Sequence, residues 1–194
     1  VHEVIMAELR IALNNIAPEG KTFVVDDPAV WSGPMKECGM DCRVVSPLVG
    51  TVTLLPQADG CLVRGNLKGE VVVPCNRCAE DAHLSIDSSF DSFEPFPNAD
   101  DDEQEPKGGK EKPFDSEADE LIVKLVDGAP EINLAGLLWE EFVLALPVRP
   151  LCKPDCKGLC PDCGKNLNEG SCSCVRDEGD PRLAALRGLK VKRN

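Results

Sequence analysis

Six cysteines crowd the stretch Cys152-Lys-Pro-Asp-Cys156-Lys-Gly-Leu-Cys160-Pro-Asp-Cys163-Gly-Lys-Asn-Leu-Asn-Glu-Gly-Ser-Cys172-Ser-Cys174, with no hydrophobic run between them. Thiolates so spaced suit a tetrahedral Zn2+, which takes two sulfurs from one tight turn and two from another. Cys160-Pro-Asp-Cys163-Gly164 has the composition of such a turn: Pro161 fixes its own φ, and Gly164 can adopt the positive φ that a knuckle demands. A disulfide framework is the competing chemistry, because small secreted domains are also cysteine-dense. Neighbours as close as Cys160/Cys163 or Cys172/Cys174 close poor disulfide loops but make good chelates, which favours the metal.

Another pair, Cys75-Asn-Arg-Cys78, stands far upstream at the end of a valine run. Setting Cys38, Cys42 and Cys61 aside leaves eight cysteines, enough for two four-coordinate, structural Zn2+ sites. The most local closure joins Cys160, Cys163, Cys172 and Cys174 into a zinc-ribbon-like module, with low loop-closure entropy and folding energy drawn from the metal. Cys75, Cys78, Cys152 and Cys156 then make a non-local site that ties the C-terminal segment to the upstream β-rich part. The rival arrangement is one zinc on Cys152, Cys156, Cys160 and Cys163. His83 lies near the upstream knuckle, but the thiolates suffice without it. Cys38 and Cys42 lack a Pro-x-Cys-Gly knuckle and read as ordinary partly buried thiols, and Cys61 as a core residue.

The elements that must position these cysteines are mostly strands. Leu9, Ile11 and Leu13 alternate before the turn Pro18-Glu-Gly20, and Lys21 to Val25 reads as a second short strand. Asp26 to Cys42 reads as irregular connecting chain. Val44 to Phe96 is strongly β, with a hairpin around Ala58-Asp-Gly60, a turn or bulge at Gly65 to Gly69, and a returning strand from His83 bulged near Ser88-Ser89. Leu121 to Val126 is a strand and Asp127-Gly128 a turn. Asn133 caps a helix in which Leu134, Leu137, Leu138, Glu141, Phe142, Ala145 and Leu146 recur at helical spacing. Pro147 and Pro150 end that helix and deliver the chain, extended, to Cys152 and Cys156. Asp180-Pro181 starts a short amphipathic helix carrying Leu183, Leu186 and Leu189.

The expected fold class is α+β: an antiparallel β-meander or partial barrel with one packed helix, a C-terminal zinc-ribbon-like Cys-rich module and a short terminal helix. The expected organisation is a β domain over residues 1–94, a flexible acidic loop over 95–120, a strand and helix completing the β domain over 121–150, and the zinc module with its helix over 151–194.

Composition narrows the function. The 194 residues carry a net charge of -13, which opposes broad attraction to a phosphate backbone. Aromatic residues are 4% of the chain with no Tyr, so base-stacking platforms are nearly absent. All-cysteine zinc sites are normally closed, His2 and His83 are the only histidines, and there is neither a Gly-x-Ser-x-Gly elbow nor a phosphate-cradling glycine loop. These features point away from an enzyme and from a small-molecule substrate. No apolar run reaches about 18 residues and the start has no signal-like pattern, so a cytoplasmic protein without a membrane partner is expected. Closely paired cysteines, eleven in all, fit that reducing compartment.

Glu70-Val-Val-Val-Pro-Cys75-Asn-Arg-Cys78, Glu141-Phe-Val-Leu-Ala-Leu-Pro147-Val-Arg-Pro150, the string Gly158-Leu-Cys160-Pro-Asp-Cys163-Gly-Lys-Asn-Leu-Asn168 and Asp180-Pro-Arg-Leu-Ala-Ala-Leu186 together resemble the bacterial YceD family, the large ribosomal RNA subunit accumulation proteins. The resemblance runs from about Val44 onward. It implies a non-catalytic factor for synthesis, processing or accumulation of large-subunit (23S) rRNA, with counterparts in chloroplasts. Three readings follow. The first is an adaptor that meets basic ribosomal or rRNA-processing proteins through its acidic surface, with any rRNA contact confined to Lys190, Lys192 and Arg193. The second is a direct rRNA binder using the zinc ribbon with Lys153, Lys157, Lys165, Arg176 and that same tail. The third is a thiol redox or metal sensor.

Overall fold

In the computed structural model, which describes residues 9–97 and 122–174, the elements run β1 (Arg10–Ala12), a 3-10 turn (Leu13–Asn15), β2 (Lys21–Val25), α1 (Ala29–Glu37), β3 (Arg43–Pro56), β4 (Gly60–Pro74), β5 (Asp81–Pro95), β6 (Val123–Val126), β7 (Ala129–Asn133) and α2 (Leu134–Ala145). Residues 98–120 of the expected acidic loop and the expected C-terminal helix, with Lys190, Lys192 and Arg193, lie outside the described residues. The strands form two antiparallel sheets, β2-β3-β4-β5 and β1-β7-β6.

Period-two patterning explains the larger sheet. Leu48, Val52 and Leu54 on β3, Cys61, Val63, Leu67 and Val71 on β4, and Ala82 and Ile86 on β5 are all buried, and most residues between them are not. The β3-β4 hairpin closes where the Ala58-Asp-Gly60 signal places it, with the Gln57 amide donating to the Gly60 carbonyl at 2.8 Å.

Several expectations change. Gly65 to Gly69 makes no turn and lies within the continuous strand β4; the irregularity between Ser46 and Val49 of β3 falls opposite Gly69, and a second, between Val44 and Ser46, opposite Glu70 and Val71. β5 pairs with β4 without interruption from Asp81 to Pro95, so there is no bulge at Ser88-Ser89. Bringing Phe93 to the face of Leu84 and Ile86 would require that bulge. Phe93 instead stands on the outer face, 46% exposed. The larger sheet is an antiparallel meander with β2 and β5 at its edges. The two N-terminal strands join different sheets, β1 beside β7 and β2 beside β3.

The segment Asp26 to Cys42 is not irregular: it holds α1, so the described residues contain two helices rather than one. Asp27 Oδ1 accepts from the Ala29 amide at 2.9 Å, and Pro28 is preset for a first turn. Val30, Trp31, Pro34 and Met35 bury one face, and the Trp31 ring sits 5.9 Å from Phe142 of α2. Gly33 and Pro34 inside nine residues hide this helix from propensity, and burial of Trp31 overrides them.

α2 begins as its sequence indicates. Asn133 Oδ1 accepts from the Gly136 amide at 3.2 Å, and Leu134, Leu137, Leu138 and Phe142 are buried. Gly50 on the inner face of β3 admits the helix, since a Cβ there would lie 2.6 Å from Leu138 Cδ2. One continuous core results, drawing on both helices and both sheets.

Candidate metal centres

The sheet presents its first pair of thiols at a rim. Cys75 and Cys78 lie in the connection between β4 and β5, where the Cys75 amide donates to the Glu80 carbonyl at 2.8 Å and the Ala79 amide to the Cys75 carbonyl at 2.9 Å. The chain leaving α2 passes this knuckle and is fastened to it. The Asn76 amide donates to the Pro150 carbonyl at 2.8 Å, Arg77 Nη1 to the Cys156 carbonyl at 2.7 Å, and the Leu159 amide to the Arg77 carbonyl at 3.0 Å. Cys152 and Cys156 are thereby set against Cys75 and Cys78.

The four sulfurs lie within 4.8 Å of one another. A tetrahedral centre with metal-sulfur bonds of about 2.3 Å needs its sulfurs about 3.8 Å apart. Cys75 to Cys156 is 3.8 Å and Cys78 to Cys152 is 3.6 Å, close to that spacing and far beyond a disulfide. Val73, Cys75, Cys78, Ala82 and Cys156 form a small buried cluster of their own, so the group can be shielded from water.

A second tetrad, Cys160, Cys163, Cys172 and Cys174, again has all its sulfurs within 4.8 Å, with Cys160 and Cys172 3.4 Å apart. Its knuckle repeats the first. The Gly164 amide donates to the Cys160 carbonyl at 2.9 Å, and Gly164 takes φ +73, the conformation for which glycine was expected there. The structure therefore assigns Cys152/Cys156 and Cys160/Cys163 to different groups, unlike the single-site arrangement. Each tetrad has the donor set and spacing of a closed Zn2+ site.

In the first knuckle the position equivalent to Gly164 is Ala79, at φ +60. A Cβ is strained there by about 1–2 kcal/mol, of which the greater unfolded-state freedom of glycine offsets part. Ala79→Gly is expected to raise stability by about 0.5–1 kcal/mol in a denaturant titration. An unchanged midpoint would mean that the turn carries no strain.

The sulfurs divide by protonation. Burial pushes the Cys75 thiol up, but the amides of Cys152, Arg77 and Cys78 outweigh it and bring it down to about 6. Cys152 is pushed up to about 12 by burial and by the neighbouring sulfurs. In the second tetrad the Cys163 and Asp162 amides bring Cys160 down to about 7, while the Cys163 thiol and burial push Cys174 up to about 12. A metal must displace the protons on Cys152 and Cys174. Affinity is thus expected to fall with pH, most steeply once Cys75 and Cys160 also hold protons, and the stability that metal supplies above neutral pH is lost on acidification. Chelator competition at about pH 8 and about pH 5.5 reads this out, and equal affinities would contradict it.

The tetrads also touch. Asn168, in the loop of the second, donates from Nδ2 to Cys156 Sγ of the first at 3.3 Å, and its Oδ1 accepts from the Lys157 amide at 2.9 Å. Its amide lowers the Cys156 pKa. Such supporting partners typically contribute about 10–100-fold in metal affinity. Asn168→Ala is expected to weaken the first tetrad by that order and leave the second unchanged in Co2+ absorption titrations. Equal affinities for parent and variant would reduce Asn168 to a loop contact.

Cys38 is exposed, Cys42 half-buried and Cys61 buried in the main core, and none joins a metal-holding group among the described residues. His83 faces outward on β5 opposite Val72 and belongs to neither tetrad. Sequence reasoning missed Arg77, Ala79 and Asn168 as supports of the first site, although Asn168 lies in the Asn-Leu-Asn string that follows the second knuckle. Among the described residues no helix is long and apolar enough to cross a membrane.

A family profile described as large ribosomal RNA subunit accumulation protein YceD matches residues 63–190, a span that includes all eight of these cysteines. An uncharacterized protein of Mycobacterium tuberculosis is 30% identical over 129 residues, covering 66% of this chain and 55% of that protein. Two relatives carry the name large ribosomal RNA subunit accumulation protein YCED homolog 1, chloroplastic. The one from Arabidopsis thaliana is 25% identical over 75% of this chain and 49% of its own length. The one from Zea mays is 25% identical over 93% of this chain and 65% of its own length. The chain thus spans about half to two thirds of the length of the curated relatives it matches. No solved structure matches it.

Proposed function

The chain belongs to the YceD family of large ribosomal RNA subunit accumulation proteins, and on that premise we propose that it is a non-catalytic, zinc-stabilised factor supporting accumulation of large-subunit rRNA through contacts with other proteins. The pair of cysteine tetrads carries this reading. Four thiolates close a Zn2+ coordination sphere and leave no open position at which a water or substrate would react. The metals are therefore fasteners, one holding the segment after α2 to the sheet rim and one closing the loop between Cys160 and Cys174. The net charge of -13 favours basic protein partners over the rRNA backbone itself. The names of the plant relatives supply the process.

The test is deletion of the gene in its own cells, with precursor and mature large-subunit rRNA measured. Mature rRNA is expected to fall and to return with the parent chain but not with the Cys75→Ser/Cys163→Ser variant. Unaltered rRNA levels after deletion would contradict the proposal.

A further inference from the structure

An open apolar groove of about 650 Å3 lies between α1 and the first half of β3, with Trp31, Met35, Met40, Val44, Val45 and Leu48 in its walls. Val44 and Val45 are 46% and 55% exposed, two adjacent β-branched residues standing in water. β2 pairs with β3 only from Gly50 to Leu54, so Arg43 to Val49 has β4 as its one strand neighbour among the described residues.

The chemistry of an occupant follows from the walls and the rim. An added strand would find no continuous ladder, because the two register shifts and Pro47, which lacks an N–H, break the edge of β3. The groove accepts side chains instead, in the way helices are docked by their apolar stripe. Asp26 and Lys36 line it, the exposed Asp27, Glu37 and Asp41 stand next in the chain to lining residues, and the neighbouring Arg43 is already paired with Asp81. The rim is therefore acidic.

We propose that this groove docks an amphipathic helix of a partner protein, apolar along one face and rich in lysine and arginine beside it. The proposal names the surface for the protein contacts of the functional reading and rests on that reading. It is tested with a photo-cross-linking residue at Ser32 of the full chain in its own cells, the cross-linked peptides being sequenced. Cross-links are expected in a partner segment with apolar residues at helical spacing and a net positive charge. Val44→Glu/Val45→Glu should lower their yield at least tenfold. Asp26→Lys/Glu37→Lys/Asp41→Lys should do the same with the apolar walls intact, each variant melting as the parent does. Cross-links confined to residues 175–194 of this chain, to a second copy or to RNA would overturn the proposal, as would an unchanged yield in both variants. The two readings fail separately. If deletion of the gene leaves large-subunit rRNA unaltered while the cross-links behave as stated, the function is wrong and the groove stands. If deletion lowers the rRNA and the glutamate variant restores it with cross-links intact, the groove is wrong alone.

Discussion

Replacing Cys156 with serine is expected to release the metal of the first tetrad and unfasten the chain that follows α2 from the sheet. Cys156 is 2% exposed, faces Cys75 at 3.8 Å, and accepts from Asn168 through its sulfur and from Arg77 through its carbonyl. Structural Zn2+ contributes about 10–16 kcal/mol to the folding of small metal-held peptides, so a site short of one thiolate loses a large share of what holds it. The hydrogen bonds left between knuckle and segment, from Asn76 to Pro150 and from Leu159 to Arg77, contribute only about 0.5–1.5 kcal/mol each. Trypsin should therefore cut the variant after the exposed Lys157 far faster than the parent, by on the order of a hundredfold, while the β3-β4-β5 sheet keeps its far-ultraviolet signal. Equal cleavage of parent and variant would show that hydrogen bonds alone fix the segment.

Phe142→Ala is expected to be the most damaging single change away from the cysteines. The side chain is fully buried where α2 meets α1 and the sheet, with ring centroids 5.9 Å from Trp31 and 5.6 Å from Trp139. Truncating such a side chain costs about 3–5 kcal/mol through lost burial and the cavity left behind. That is a large fraction of the roughly 5–15 kcal/mol by which domains are stable. Urea unfolding followed by Trp fluorescence measures it, since both tryptophans line the same cluster. A loss under about 1 kcal/mol would mean that α2 does not dock through this residue.

The features legible in the sequence were those whose physics is local. Asn133 before an apolar period announces a capped helix, Ala58-Asp-Gly60 between alternating runs announces a hairpin, and Cys160-Pro-Asp-Cys163-Gly164 contains its own turn geometry. The illegible features depend on contacts made across the fold. α1 carries Gly33 and Pro34 and exists because Trp31 finds Phe142 about a hundred residues later. Phe93 suggested a bulge because a large apolar residue was assumed to face inward, whereas one exposed aromatic on a regular strand is ordinary. Ala79 occupies a left-handed position that sequence rules reserve for glycine, so its part in the first knuckle was not legible. Asn168 reaches Cys156 only after the second knuckle folds back onto the first, which no spacing within either motif encodes.

The central claim, that eight cysteines hold two separate structural metals, is tested most directly by counting bound zinc per chain by native mass spectrometry. Two equivalents are expected in the parent, one in Cys75→Ser and one in Cys163→Ser. A single equivalent in the parent that survives Cys75→Ser would contradict it and return the ligands to Cys152, Cys156, Cys160 and Cys163.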